Sequence, residues 1–179
     1  MPTQERIKEL LAYDQNTGMF VWRVAPSRRV NIGMPAGCIN SRGYVRIKID
    51  GRLYMAHRLA WLYMTGEWPD EEVDHINRNS ADNRWINLRA ANRSQNMGNI
   101  SKNRNNTSGV KGVCWDKKRG MWQARLQASA RFKHLGHFAD INDAAAAYAD
   151  AARKHFGRFA NPVLDADELL KRSRNARAA

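Results

Sequence analysis

The sequence predicts an α+β protein of two small parts: a β-rich N-terminal domain, then a three-stranded antiparallel sheet packed on one helix. Three observations carry this. Residues 44–56 alternate apolar and polar about an Asp-Gly turn. Residues 113–138 hold three more short strand-like segments, followed by an alanine-rich stretch at helical spacing. Between these patterns NISKNRNNTS, at 99–108, is polar and has no apolar period, as a linker would be. The expected divisions are therefore 1–98, a linker at 99–107, a second domain at 108–162 and a tail at 163–179.

Taken in order, Thr3 is placed to cap a helix through Ala12, with Ile7, Leu10 and Leu11 at helical spacing. Asp14 to Gly18 reads as a turn into a strand from Met19 to Val24, and Pro26 with Arg28 and Arg29 marks a surface loop. From Tyr44 to Asp50, Val45, Ile47 and Ile49 share one face while Arg46 and Lys48 share the other. Asp50-Gly51 turns the chain into a returning strand, Arg52 to Ala56. His57 to Met64 is a short buried helix stopped at Gly66, and a lone His opening it is read as a capping or packing residue rather than a ligand.

In the C-terminal half, Val113 to Trp115, Met121 to Ala128 and Phe132 to Phe138 are three strands. Trp122, Ala124 and Leu126 fall on one face of the middle strand, and Gln123, Arg125 and Gln127 on the other. Leu135 should join the apolar face and leave His134 beside Arg125. Asn142 is placed to cap a helix through Phe156, whose Ala145, Tyr148, Ala149, Ala152 and Phe156 form one stripe. The tail from Val163 is expected to add a short helix and fray.

Charge narrows the partner. Thirty Lys and Arg stand against 17 Asp and Glu, a formal net charge of +13. That excess points to a polyanion, and nucleic acid is the commonest one. No basic amphipathic helix argues for a membrane surface, and no apolar run approaches the ~20 residues of a membrane span. MPTQERIKELLAYD lacks the apolar core of a signal peptide, so the expectation is a soluble cytoplasmic protein without a small-molecule substrate. Cys38 and Cys114 are isolated, which excludes a zinc ribbon and leaves two reduced, partly buried thiols.

The chemistry concentrates in residues 73–99, VDHINRNSADNRWINLRAANRSQNMGN. Hydrolysis of a phosphodiester needs a base for the attacking water and stabilisation of the departing oxygen. His75, with an ordinary imidazole pKa near ~6.5, is the base. Asp74 and an amide oxygen, that of Asn96, are the ligands for one hard divalent cation, Mg²⁺ or Mn²⁺. Asn92 and Asn99 lie about one turn away on the same helix face and are the alternatives to Asn96. Adjacent strand residues point to opposite faces, so Asp74 and His75 must sit at a strand end or bend.

This stretch resembles the HNH nuclease motif of phage-type homing endonucleases over roughly residues 57–100: Asp-His, an Asn-rich loop, Asn-Leu-Arg, then a helix bearing Asn. The resemblance implies a ββα-metal fold of two strands and a helix around one divalent ion. It makes His75 the general base, Asp74 and Asn96 the metal ligands, and Asn87 the central Asn whose amide ties the loop and positions the His. The last motif residue is Asn rather than His. The resemblance also implies 5′-phosphate and 3′-hydroxyl ends, and the host-cell cytoplasm if the protein is phage-encoded.

Residues 108–161 resemble the DNA-binding domain of plant ethylene-response factors, through GVKGVCWDKKRGMWQARL, HLGHF, DAAAAYADAA and FGRFANP. That resemblance implies a sheet laid in the major groove of double-stranded DNA. Gln123, Arg125, Gln127 and His134 then meet base edges, and Lys111, Lys117, Lys118 and Arg119 meet phosphates. Cys114 and Asp116 replace arginines expected in that family. Arg46 and Lys48 either add backbone contacts from the N-terminal domain or line a solvated sheet face. The expectation is a monomer or weak dimer that cuts DNA at a chosen site. The competing readings are a non-catalytic DNA-binding protein with a relic nuclease fold and an RNA-binding structural protein.

Overall fold

The computed structural model describes residues 1–103, 105–128 and 131–161 of the 179-residue chain, which divides into two units, Met1–Asn92 and a second beginning at Arg93. Strands and helices are both present, and every sheet is small and antiparallel. The expected tail at 163–179 lies outside the described residues. Among the described residues no helix is long and apolar enough to cross a membrane.

In the first unit, α1 (Gln4–Leu10) begins at Thr3, whose hydroxyl accepts the Arg6 N–H at 3.3 Å. The helix stops earlier than its apolar spacing implied. Leu11 turns extended and starts β1 (Leu11–Asp14), which pairs with β2 (Met19–Trp22). A strand pairing that gives Leu11 a fully buried site overrides its helix propensity. Beyond the two-residue β3 (Cys38–Ile39), β4 (Val45–Ile49) and β5 (Arg52–Met55) form the expected hairpin. Asp50 and Gly51, at φ 47° and 81°, make its turn. Ile47 and Ile49 are buried and Lys48 is exposed, but Arg46 is only half exposed, so the polar face is less open than alternation implied. Cys38 is exposed rather than partly buried, and neither cysteine is in a disulfide.

Helix α2 (Ala56–Thr65) ends at Gly66, φ 87°, as its sequence requires. It buries Leu59, Ala60 and Leu62 against Ile7, Leu11, Phe20 and Ile47. Strands β6 (Glu72–His75) and β7 (Leu88–Ala91) pair with Asp74 opposite Arg89 and His75 opposite Leu88. Val73 and Leu88 anchor this pair in the same core. His75 is the last residue of its strand, the placement that the neighbouring acid and imidazole demanded.

The second unit holds α3 (Arg93–Asn99), then β8 (Val113–Asp116), β9 (Met121–Ala128) and β10 (Arg131–Phe138) in the order β10-β9-β8. Helix α4 (Ile141–Phe156) buries Ala144, Ala145, Tyr148, Ala149, Ala152 and Phe156. Small side chains let it lie close to Val113, Ala124 and Leu126, which are buried in the same unit. Its cap is Asp140, which accepts the Asn142 N–H at 2.6 Å, rather than Asn142. Strand β10 carries a bulge between His134 and Gly136, so Gly136, not Leu135, stands opposite Ala124.

Candidate active site

The loop joining β6 to β7 is built from side chains rather than from regular backbone pairing. Asn87 accepts the Asn77 N–H at 2.9 Å through Oδ1, and its Nδ2 donates to Asp82 O at 2.7 Å and Asn77 Oδ1 at 3.0 Å. Asn77 donates to Asp82 Oδ2 at 2.6 Å, and the Asp82 carboxylate also takes the Arg84 guanidinium, which holds its pKa down to about 2. Asn and Asp stabilise tight backbone in this way because their short polar arms reach main-chain groups two residues away. Arg78, at φ 65°, sits in the left-handed region within this loop. Trp85 packs against the core, its ring 5.3 Å from that of Trp61, while Ile76 and Ile86 stay exposed.

Four polar side chains of this region are almost wholly buried: Asp74 at 6%, His75 at 5%, Asn83 at 2% and Asn87 at 5% exposure. Buried polar groups at this density need partners. Asp74 Oδ2 accepts Arg89 Nε at 2.8 Å and Arg89 Nη2 at 2.7 Å, across the strand pair. His75 Nε2 lies 3.2 Å from Asn83 Oδ1. Burial pushes the His75 pKa down, opposed by the Asn83 bond and by the Asp74 and Asp82 charges. A ring held neutral in this way is able to accept a proton at neutral pH.

His57 does not cap α2 but packs, the other role expected of it, and it does so against the His75 ring. The cap residue is Met55, and the His57 ring packs edge-on to His75 with centroids 4.9 Å apart. Its Nδ1 is buried without a hydrogen-bond partner, and burial lowers its pKa to about 3. Tyr44 contributes a third ring, 6.0 Å from His75 and 5.5 Å from His57.

Of the residues singled out by sequence, Asp74, His75 and Asn87 meet in this loop and strand pair. Asn96, half-buried, and Asn99, buried, lie on α3 in the second unit, while Asn92 closes the first. The His75 ring is hydrogen-bonded to the Asn83 side-chain oxygen, whereas Asn87 ties Asn77 to Asp82. Sequence reading passed over Asn83, Arg89 and the ring contact of His57. Only Arg89 carried a signal, an opposite charge at the cross-strand position of Asp74 once the register is drawn. Among the described residues no three His, Cys, Asp or Glu side chains cluster closely enough to hold a metal.

In the second unit, the strand face away from α4 presents Gln123, Arg125, Gln127 and His134. Arg125 and Gln127 are exposed, and the Arg125 guanidinium lies 5.1 Å over the Phe132 ring. Gln123 is instead drawn into a polar cluster: Cys114 Sγ donates to its Oε1 at 3.6 Å, and its Nε2 is 3.5 Å from His137 Nε2. Asp116 lies 3.2 Å from that same His137 nitrogen and 3.4 Å from Arg119 Nη1. Lys111, expected among phosphate contacts, donates to Met97 O, Gly98 O and Ile100 O at 3.3, 2.9 and 2.6 Å, so it caps the end of α3. Lys117, Lys118 and Arg119 remain exposed on the β8–β9 turn.

The family model described as HNH endonuclease matches residues 54–98, which include Asp74, His75, Asn83, Asn87 and Asn96. Protein 3.8 of Escherichia phage T7 is 33% identical over 88 residues, which make up 49% of this chain and 72% of that protein. No solved structure matches the chain.

Proposed function

Because the chain belongs to the family of phage T7 Protein 3.8 and carries an HNH endonuclease domain at residues 54–98, we propose that it is a metal-dependent endonuclease of double-stranded DNA. The observation that carries this reading is His75, neutral, ending a strand beside Asp74 with its ring fixed by Asn83. The imidazole removes the proton from the attacking water, and its burial among polar groups keeps it unprotonated for that task. Asn87 holds the loop that carries it.

The donor set suits a hard cation. Asp74 supplies a carboxylate, and among the described residues no trio of acids, imidazoles or thiols favours a structural zinc. Mg²⁺ keeps several waters and takes few protein ligands, which matches a single carboxylate. When bound, such an ion would stabilise charge on the departing 3′ oxygen. Targeting falls to the second unit, in the manner of the plant ethylene-response-factor domain: Arg125 and Gln127 reach base edges and Lys117, Lys118 and Arg119 reach phosphates. Lys48 adds a contact from the first unit. One such centre cuts one strand, so a monomer nicks and a weak dimer is needed for a double-strand break.

A second reading, a DNA-binding protein with a relic nuclease fold, draws on the deep burial of His75 and the ion pair that holds Asp74. One experiment separates the two. Supercoiled plasmid is incubated with the full chain and Mg²⁺ or Mn²⁺, with and without chelator, at stated salt. We expect nicking that chelator abolishes and that His75→Ala lowers by ~10²–10⁴-fold at unchanged DNA affinity. Binding without nicking, or nicking that survives His75→Ala, establishes the relic reading or another catalytic group.

A further inference from the structure

A neutral imidazole carries one proton on two nitrogens, and the nitrogen without it is the base. The hydrogen-bond chain around His75 fixes which one that is. The Ala81 carbonyl can only accept, and Asn83 reaches it at 3.2 Å through Nδ2. That contact orients the amide, turning Oδ1 toward His75 Nε2 at 3.2 Å. An amide oxygen also only accepts, so the proton of His75 sits on Nε2 and the basic nitrogen is Nδ1.

Asn83 is itself held from the N-terminal hairpin. The Tyr13 hydroxyl donates to its carbonyl at 2.6 Å, and the Trp85 N–H donates to Gln15 O at 3.0 Å. Gly18, at φ 74°, packs so tightly that a Cβ there would stand 2.4 Å from Arg84 N and Asn83 C. The β1–β2 turn therefore presses directly on the residue that touches the imidazole. Side chain and backbone of Asn83 are both fixed, and the residue is buried to 2% exposure. A group so constrained and bonded to one edge of a base sets its tautomer and ring angle.

We propose that Asn83 is the positioning residue of the nuclease site, holding His75 as the Nε2–H tautomer with Nδ1 as proton acceptor. This rests on the reading of His75 as general base. Asn83 acts through His75 and touches no substrate atom.

Two measurements on the full chain test it. NMR of ring-nitrogen-labelled histidines reports the tautomer without reference to catalysis, and we expect Nε2–H at His75 at neutral pH. An Nδ1–H tautomer overturns the assignment whatever the variants do. Plasmid nicking with Mg²⁺ then compares Asn83→Leu with Asn83→Asp. Leucine removes the acceptor at similar volume and should lower kcat roughly 10- to 100-fold with KM for DNA within about twofold. Aspartate keeps an oxygen facing Nε2 but gives up the bond to Ala81 O, and should recover part of kcat. Equal loss in both variants, or a raised KM at unchanged kcat, overturns the positioning role. Should Asn83→Leu fail to fold, the wild-type tautomer and the aspartate variant decide. An Nε2–H tautomer in a protein that never nicks sinks the nuclease reading and leaves the tautomer assignment standing. Nicking that depends on His75 together with Nδ1–H does the reverse.

Discussion

The β6–β7 loop and the outer face of the β8–β10 sheet are both polar, yet they are polar in opposite ways. In the loop and the strand that leads into it, Asp74, His75, Asn83 and Asn87 are buried and hydrogen-bonded, so a side chain that moves leaves a polar atom unpaired. On the sheet face, Arg125, Gln127 and His134 stand in solvent on a frame of buried Ala124 and Leu126. The first arrangement suits a reaction, which needs groups fixed before substrate arrives. The second suits reading a groove, where exposed donors settle against base edges on contact. If that contrast is real, substitutions in the loop must damage stability and activity together, and those on the sheet must damage recognition alone.

The hardest test is Arg89→Met. Asp74 and the Arg89 side chain are 6% and 12% exposed, and the pair is bonded twice. Taking away the guanidinium leaves a buried carboxylate without its cation, which costs about 3–5 kcal/mol in comparable pairs. We expect a loss of that order in urea denaturation followed by tryptophan fluorescence. A loss under about 1 kcal/mol would show that Asp74 is solvated in solution and that the loop is not locked.

Arg125→Ala probes the other side at smaller magnitude. Discrimination at one base pair should weaken by about 1–3 kcal/mol in a competition binding assay across site variants. Stability should change by less than about 1 kcal/mol, the worth of an exposed cation–π contact with Phe132. Equal weakening on every DNA sequence means that Arg125 meets only phosphate. A stability loss matching that of Arg89→Met would erase the distinction between the two surfaces.

What the sequence disclosed follows the same division. Periodicity found β4, β5, β9 and the stripe of α4, because burial of alternate or third-and-fourth residues is written locally in the chain. It also placed His75 at a strand end, since two adjacent residues cannot both line a site from regular strand. It missed β1 because Leu11 fits either a helix stripe or a buried strand, and only pairing with Trp22 decides. Asn83 escaped notice for a related reason: one asparagine in an Asn-rich loop looks like any other. Its role arises from Tyr13 and Gly18, some 65–70 residues earlier in the chain. Lys111 shows the opposite error, a lysine in a basic chain assigned to phosphate that three carbonyls had already claimed.

The finest probe of the locked loop is His57, whose ring lies against His75. Its pKa is depressed from 6.5 to about 3 in the folded state, chiefly by burial and next by His75. Unfolded chain therefore binds the proton first as pH falls, so the stability this group contributes is complete above 6.5 and is lost progressively toward 3. Between pH 7 and pH 6 the loss from His57 is about 0.7 kcal/mol. His57→Phe keeps a ring against His75 and removes the titration, so its stability should fall less over that interval, by this difference. His75, depressed in the same direction, contributes to the slope that remains. Identical slopes in the two proteins would mean that solvent reaches His57, and a ring wet enough to titrate normally could not pack edge-on against an imidazole held fixed for proton transfer.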